Sequence, residues 1–370
     1  MQAVISFFMT IVMFLAPMLN YPKTEPAKDN WNTDYAYIFV HGLSGWGEYD
    51  FYYDFLPYWG MFGGDMMKYL NARGYTARAA SVDPQGSAWD RACELYAQLT
   101  GTRVDYGEAH SKRCNHSRYG DDFTGRALIG NFSEKHKINL LGHSFGGATI
   151  LLFTELMANG SPEEQKAGGD ISPFFTGGKG SWIYSITTLA SPLNGTTAYN
   201  IGSGSGNSGS KSTAENGKPF YDSAAYDMYI DNAIALMESI ETLSSVYYFS
   251  FPCCCTKEGA DGYQVADENI WIEPYVKSNV DVIGSYRGVT PGGVVLDEKW
   301  WPNDGLVNTY SAMAPFNAPQ KAFDSAGIEP GIWNVMPVYA GDHQAFNGDL
   351  LKPNNIRPFF TKHIEMINAL

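Results

Sequence analysis

A serine, a histidine and a carboxylate are the side chains whose types and spacing could do chemistry together in this chain. Ser144 stands in Gly142-His-Ser-Phe-Gly146, a Gly-x-Ser-x-Gly pattern. The apolar residues 138–141 before it read as a buried parallel strand, and residues 147–157 after it, with no proline and few polar positions, read as a helix. A serine held at a sharp strand-to-helix turn needs neighbours without a Cβ, and the helix N-terminus brings N–H groups to its oxygen. Its hydroxyl is a weak nucleophile until a neutral imidazole takes the proton, and the imidazole needs a carboxylate to fix its tautomer. On a fold of this kind the order is serine, acid, histidine, so both partners follow Ser144. His363 shares the face of a closing helix with Phe360 and Ile364, a structural place, whereas His343 lies in the loop Gly341-Asp-His-Gln344 after a strand and is our candidate base. Asp304, between Pro302 and Gly305 in a turn, is favoured as the acid by position. Asp297, Glu298, Asp324 and Asp342 compete with it, each read by default as solvated surface charge.

Two further groups could serve that chemistry. A strand over residues 35–40 runs into His41-Gly-Leu-Ser-Gly-Trp-Gly47, a glycine-rich turn that leaves the Leu43 N–H free to meet a developing negative charge. The second donor to such an oxyanion would be the N–H of Phe145, directly after the nucleophile. Asp90, in the first turn of a helix, and the loop histidines His110 and His116 offer carboxylate and imidazole ligands for a closed four-coordinate Zn²⁺ site, which needs one more ligand. By spacing alone, two exposed loop histidines are the preferred reading.

The elements that must position these residues alternate along the chain. Helix-like residues 64–72 precede a strand over 75–81 and an amphipathic helix over 87–99, where Ala92, Leu95, Tyr96 and Leu99 recur at helical spacing. Residues 104–116 read as a polar loop. Further strands are expected at 182–190, 245–251, 280–284 and 334–339, with helices over 223–240 and 355–370, and the Gly/Ser tract 201–213 as a mobile loop. Strands alternating with helices predict an α/β protein: a mostly parallel, doubly wound sheet with helices on both faces.

With 370 residues, the chain is long for one domain, yet an α/β sheet with insertions reaches this size, and we expect a single domain over residues 35–370 after a polar linker. The formal net charge of −14 repels nucleic acid and anionic membranes and excludes charge-driven binding to either. Residues 1–20 hold an apolar run that reads as a secretory signal or an N-terminal anchor. The five cysteines are an odd count, and Cys253, Cys254 and Cys255 are too close in sequence to pair readily with one another.

Taken together, the motifs resemble the large zinc-containing secreted lipases of the bacillus and staphylococcus type, within the α/β-hydrolases. The resemblance rests on His41-Gly-x-x-Gly-Trp-Gly47, Trp89-Asp-Arg-Ala-Cys-Glu-x-Tyr-Ala-Gln-Leu99, Val104-Asp-Tyr-Gly-x-Ala-His110, Gly142-His-Ser-x-Gly-Gly147, Asn194-Gly-Thr-Thr197, Gly284-Ser-Tyr-Arg287, Asn303-Asp-Gly-x-Val-Asn308 and Asp342-His343. It implies the α/β-hydrolase fold with a zinc-stabilised insertion, Ser144, Asp304 and His343 as the triad, and Leu43 and Phe145 as oxyanion donors. It also implies structural zinc on Asp90, His110, His116 and, from the Tyr-Asp before a helix, Asp227. Three departures stand out. The family's long helical lid falls in the interval 198–226, which here is short and rich in Gly and Ser and cannot build such a helix. The acidic residues of the family's calcium site are replaced after His343 by Gln344 and Ala345, with Asp349 further on, which makes calcium doubtful. Phe145 stands where the family has glutamine.

The resulting expectation is a secreted serine carboxylester hydrolase acting on acylglycerols or other short-to-medium-chain esters, with no nucleic-acid partner and no tight protein partner implied. A polyester or cutin depolymerase with an open site is the second enzyme reading, and a non-catalytic binding protein on the same fold is the reading from another class.

Overall fold

The structure, a computed structural model, describes residues 35–202 and 219–370. The expected signal or anchor over residues 1–20, and most of the Gly/Ser tract, lie outside the described residues. Among the described residues no helix is long and apolar enough to cross a membrane.

Seven strands form one sheet: β1 (Ala36–Val40), β2 (Ala77–Ala80), β3 (Ile138–His143), β4 (Ile183–Leu189), β5 (Tyr247–Phe251), β6 (Gln320–Ala322) and β7 (Trp333–Val335). Their order is β6-β7-β5-β4-β3-β1-β2, and every neighbouring pair is parallel. The main helices are α1 (Met66–Ala72), α2 (Ala88–Thr100), α3 (Glu108–Cys114), α4 (Gly146–Asn159), α5 (Pro162–Ala167), α6 (Pro274–Ile283) and α7 (Arg357–Asn368).

The period-two alternation of β1 shows how the sheet divides the core. Ile38 and Val40 pack into one apolar layer with Leu95 and Leu99 of α2 and Ile150 and Phe153 of α4. Tyr37 and Phe39 pack into the other, with Met66 and Leu70 of α1 and Phe360 and Ile364 of α7. Both faces are covered, so the central strands are buried throughout, which is why they read as continuous apolar runs.

Three assignments differ from expectation. Residues 280–283 belong to α6 rather than a strand, with Gly284 at its C-cap: Val276, Val280 and Ile283 lie four and three apart and bury together, and Pro274 opens the helix. Residues 104–116 are not a loop but a short strand, Arg103–Asp105, followed by α3. The helix expected over 223–240 is broken into Ala224–Asp227 and Ile230–Glu238, with Tyr229 in an extended conformation between them.

Candidate active site and metal cluster

At the end of β3 the backbone turns at Ser144, whose φ of 54° lies in the left-handed region that a serine seldom occupies. Its N–H donates to Leu189 O of β4 at 2.9 Å, and its carbonyl accepts from Gly147 N–H at 3.0 Å. The flanking glycines are required by close approach: a Cβ on Gly142 would lie 2.5 Å from the Gly146 carbonyl carbon, and one on Gly146 would lie 2.3 Å from Val40 O.

The structure brings the three candidate residues together across 199 positions of sequence. Ser144 Oγ lies 2.8 Å from His343 Nε2, and His343 Nδ1 lies 2.9 Å from Asp304 Oδ2. A carboxylate only accepts, so Nδ1 carries the hydrogen and Nε2 is left to accept the serine proton. Asp304 Oδ1 in turn accepts from the N–H groups of Leu306 at 3.0 Å and Val307 at 2.7 Å, which locks the carboxylate in place. The backbone repeats the pairing, with His343 N–H donating to Asp304 O at 2.9 Å. All three side chains are buried.

The competing residues are engaged elsewhere. His363 Nε2 meets Thr187 Oγ1 at 2.7 Å, and burial pushes its pKa down to about 3, so it is a neutral core histidine. Asp297 caps a short helical turn and Asp324 closes a loop on Ala326 N–H. Asp342 accepts from Glu273 N–H at 2.6 Å and Gln344 N–H at 2.9 Å, tying the His343 loop to the start of α6. Burial raises its pKa to about 6 and that of nearby Asp349 to about 7.

Leu43 and Phe145 flank the serine, and among the described residues neither backbone N–H has a hydrogen-bond acceptor. The loop carrying Leu43 lies hard against Ser144: a Cβ on Gly42 would sit 2.6 Å from Ser144 Cβ and 3.1 Å from its Oγ. A buried hydrogen-bond chain links this loop to the backbone of His343. Gly42 N–H donates to Tyr58 Oη at 3.2 Å, Tyr58 Oη lies 2.6 Å from His143 Nδ1, and His143 Nε2 lies 2.8 Å from His343 O.

A second cluster forms at the N-terminus of α2. His110 Nε2 lies 3.1 Å from Asp90 Oδ1 and 3.4 Å from Asp222 Oδ1; His116 Nε2 lies 3.4 Å from Asp222 Oδ2 and 3.8 Å from Asp90 Oδ1. Asp227, the expected fourth ligand, stands aside: its Oδ2 accepts from Ala88 N–H at 2.7 Å and caps α2, while burial, with Asp222 and Asp90 nearby, raises its pKa to about 7. Asp222 takes its place, held by Ser87 Oγ at 2.7 Å. Cys114 completes a group of four close donors with His110, His116 and Asp222.

The donor set fits a zinc ion. Ligands about 2.0–2.1 Å from a tetrahedral Zn²⁺ lie about 3.3–3.4 Å from one another, near the separations found between these imidazole and carboxylate atoms. His116 Nδ1 meets Ser117 O at 2.8 Å and therefore donates, so Nε2 turns a lone pair toward the carboxylates and has no hydrogen-bond partner among the described residues. Burial favours neutral His110, but hydrogen bonds to Asp222 and Asp90 outweigh it and push its pKa up to about 11, so the cluster calls for positive charge. The supporting shell is built: Trp89 stacks on the His110 ring at 5.1 Å, and the buried Glu164 of α5 accepts from Ala109 and His110 N–H at 3.0 and 2.8 Å, capping α3.

A doubly wound parallel sheet with a serine on the strand-to-helix turn after β3 defines the α/β-hydrolase class. Residues 33–208 match the family described as "Lipase-like, C-terminal domain". The chain is 32% identical over 374 residues to Lipase 2 of Staphylococcus aureus, covering 88% of this chain and 52% of that protein, so it spans about half the length of the curated relatives it matches. Among solved structures it is similar to EstA from Clostridium botulinum, with a TM-score of 0.80, 30% identity and coverage of 97% of each chain. It is also similar to Staphylococcus hyicus lipase, with a TM-score of 0.78, 26% identity and coverage of 94% of this chain and 99% of that one. The chain belongs to the Bacillus/Staphylococcus lipase family.

Sequence reasoning missed Asp222. Its signal was present but ambiguous, since Tyr-Asp occurs twice within residues 219–228, at Asp222 and at Asp227.

Proposed function

We propose that this chain is a secreted serine carboxylester hydrolase that works through an acyl-enzyme. The observation that carries the reading is the relay of Ser144 Oγ, His343 Nε2 at 2.8 Å and Asp304 Oδ2 at 2.9 Å beyond it, on a turn flanked by two backbone N–H groups with no acceptor among the described residues.

His343 takes the Ser144 proton as Oγ attacks the ester carbonyl. The negative charge that develops on the carbonyl oxygen meets the N–H groups of Leu43 and Phe145. His343 then passes its proton to the departing alcohol, and in the second half it deprotonates a water that releases the acid and restores the serine. Asp304 keeps the imidazole in the accepting tautomer and faces the imidazolium that forms at each half-step.

Zinc would be held by Asp90, His110, His116 and Asp222. Two imidazoles and two carboxylates complete four-coordination, so the ion supplies structural cross-linking between the start of α2, α3 and the segment before residue 224, and takes no part in bond breaking. Export through residues 1–20 completes the proposal, and N-terminal sequencing of protein from culture medium tests it.

The short Gly/Ser interval in place of a lid favours an uncovered site and short or medium acyl chains. Hydrolysis of nitrophenyl esters from butyrate to palmitate, with Ser144→Ala as the blank, tests the reading. Rates highest at short chains and lost in Ser144→Ala support it; hydrolysis that persists in Ser144→Ala refutes it.

A further inference from the structure

Oxyanion-hole amides act only when they are already aimed, because reorienting a dipole during the reaction forfeits most of its effect. The question for this chain is what holds the Leu43 and Phe145 amides. The turn carrying Leu43 has no element of its own, and Phe145 precedes the first residue of α4.

Arg91 lies beneath both. It sits in the first turn of α2 and is fully buried. Its guanidinium directs its donors to three carbonyls and a hydroxyl: Nη2 to His41 O, Nη1 to Asp83 O at 3.1 Å and Gly42 O at 3.4 Å, and Nε to Thr149 Oγ1 at 2.8 Å. The Gly42 carbonyl also accepts from His41 Nδ1 at 2.8 Å. The His41 tautomer is fixed, because Val82 N–H donates to Nε2 at 3.3 Å and leaves the hydrogen on Nδ1. Burial and the neighbouring Arg91 charge hold the His41 pKa down at about 3, so it stays neutral.

The consequence follows from peptide planarity. In a trans peptide the C=O of residue i and the N–H of residue i+1 point in opposite directions. Fixing Gly42 O on the Arg91 side therefore turns the Leu43 N–H the other way. The second arm is held from the same point. The Arg91 guanidinium carbon lies 5.2 Å from the centroid of the Phe145 ring, within cation–π range. Thr149, which receives Arg91 Nε, has its own Oγ1 at 3.3 Å from Phe145 O. One planar, five-donor group thus reaches the backbone behind one amide and both the ring and the carbonyl of the residue that bears the other. Lysine, a point charge with three donors, cannot reproduce that fork.

We infer that Arg91 is the positioning residue of the oxyanion hole, fixing the aim of the Leu43 amide through the Gly42 carbonyl and bracing Phe145, whose own amide is set by the Ser144 peptide, through its ring and Thr149. The inference rests on the ester-hydrolase reading. It gives a reason for a buried arginine directly beside the metal cluster that the triad and the zinc do not use.

The test is Arg91→Lys in the full chain on nitrophenyl butyrate. Losing one aimed oxyanion donor lowers kcat about 10²–10³-fold, and we expect a fall of at least 10²-fold with KM within about threefold of the parent. The count of serines titrated by a fluorophosphonate, and the pH midpoint of kcat/KM, should stay as in the parent, because Ser144, His343 and Asp304 are untouched. Methylguanidine at millimolar concentration should restore part of the lost kcat to Arg91→Ala. A kcat within threefold of the parent in Arg91→Lys overturns the inference, as does a loss matched by lost titratable serine or by a shifted pH midpoint. Should Arg91→Lys fail to fold, Thr149→Val decides: it removes the Nε anchor together with the Oγ1 link to Phe145 O, should lower kcat about fivefold at unchanged KM, and overturns the inference if kcat is unchanged. A parent chain with no Ser144-dependent hydrolysis would sink the ester-hydrolase reading, whereas an active parent matched by Arg91→Lys sinks only the role of Arg91.

Discussion

Replacing Asp304 by asparagine changes one atom and should remove nearly all activity. Oδ1 of Asp304 accepts from Leu306 and Val307 N–H, and Oδ2 accepts from His343 Nδ1. In Asp304→Asn the side chain must choose which of these to serve. If its carbonyl oxygen keeps Leu306 and Val307, its NH₂ faces His343 Nδ1 and forces the hydrogen onto Nε2, where it blocks the proton transfer from Ser144. If the amide flips, NH₂ confronts two backbone N–H groups. Each buried donor left unsatisfied costs about 1–3 kcal/mol, so the productive orientation lies about 2–6 kcal/mol higher. At about 1.4 kcal/mol per factor of ten, that corresponds to a loss of about 10^1.5 to 10^4 in kcat, the upper end matching the known penalty for a wrong histidine tautomer in a serine triad. Initial rates on nitrophenyl butyrate at saturating substrate measure it, with thermal melting to show that the isosteric change leaves the fold intact. A folded Asp304→Asn enzyme within tenfold of the parent would refute the tautomer argument and return the acid to Asp342 or another carboxylate.

Other outcomes follow from the same geometry. Gly42→Ala places a methyl 2.6 Å from Ser144 Cβ, so kcat should fall about 10²-fold, with a stability loss of about 1–3 kcal/mol; parent-like kinetics would show that the oxyanion loop is free to retreat. Metal analysis of purified protein should find about one zinc per chain in the parent and in Asp227→Asn but much less in Asp222→Asn; the opposite ranking would restore Asp227 as the ligand. Acid should destabilise the fold through its buried histidines. Burial holds His41 and His363 at about 3 and lowers His143 well below its ordinary value. The unfolded chain binds protons near pH 6.5 that the folded chain refuses, so this stability is complete above pH 6.5 and lost as the pH falls toward 3, by about 2 kcal/mol per histidine at pH 5. Melting at pH 8 and pH 5 should show a clearly smaller drop in His363→Phe than in the parent; an equal drop would remove His363 from the account.

That Ser144, Asp304 and His343 come together was legible because each carries a local signature. Glycines bracket Ser144, a Pro-Asn-Asp-Gly turn presents Asp304, and a loop after a strand presents His343. The alternation of apolar segments likewise announced a doubly wound sheet, and β1 shows why: its two faces feed two different helix layers. What failed were readings that depend on long-range contact. Asp222 and Asp227 look alike in sequence, and only the fold decides which one faces His110 and His116 and which one caps α2. In α6 the apolar residues are few enough to fit either a strand or a helix, and burial beside Cys255 and Ile272 selects the helix. Arg91 left no signature because most of its partners are backbone carbonyls, which every residue has.

Asp90 and Arg91 are neighbours in the first turn of α2, and successive helical residues project about 100° apart. One turn therefore faces the cluster of His110, His116 and Asp222 with one side chain and the loop carrying Leu43 with the next. Were zinc held there, heat inactivation should accordingly be a single event in which the ion leaves and turnover ceases together, instead of a slow fading of one before the other. For anyone redesigning this scaffold, the segment carrying His110 and His116 and the loop after β1 are one transplantable part: moving either without the Asp90-Arg91 turn would separate the anchor from what it holds.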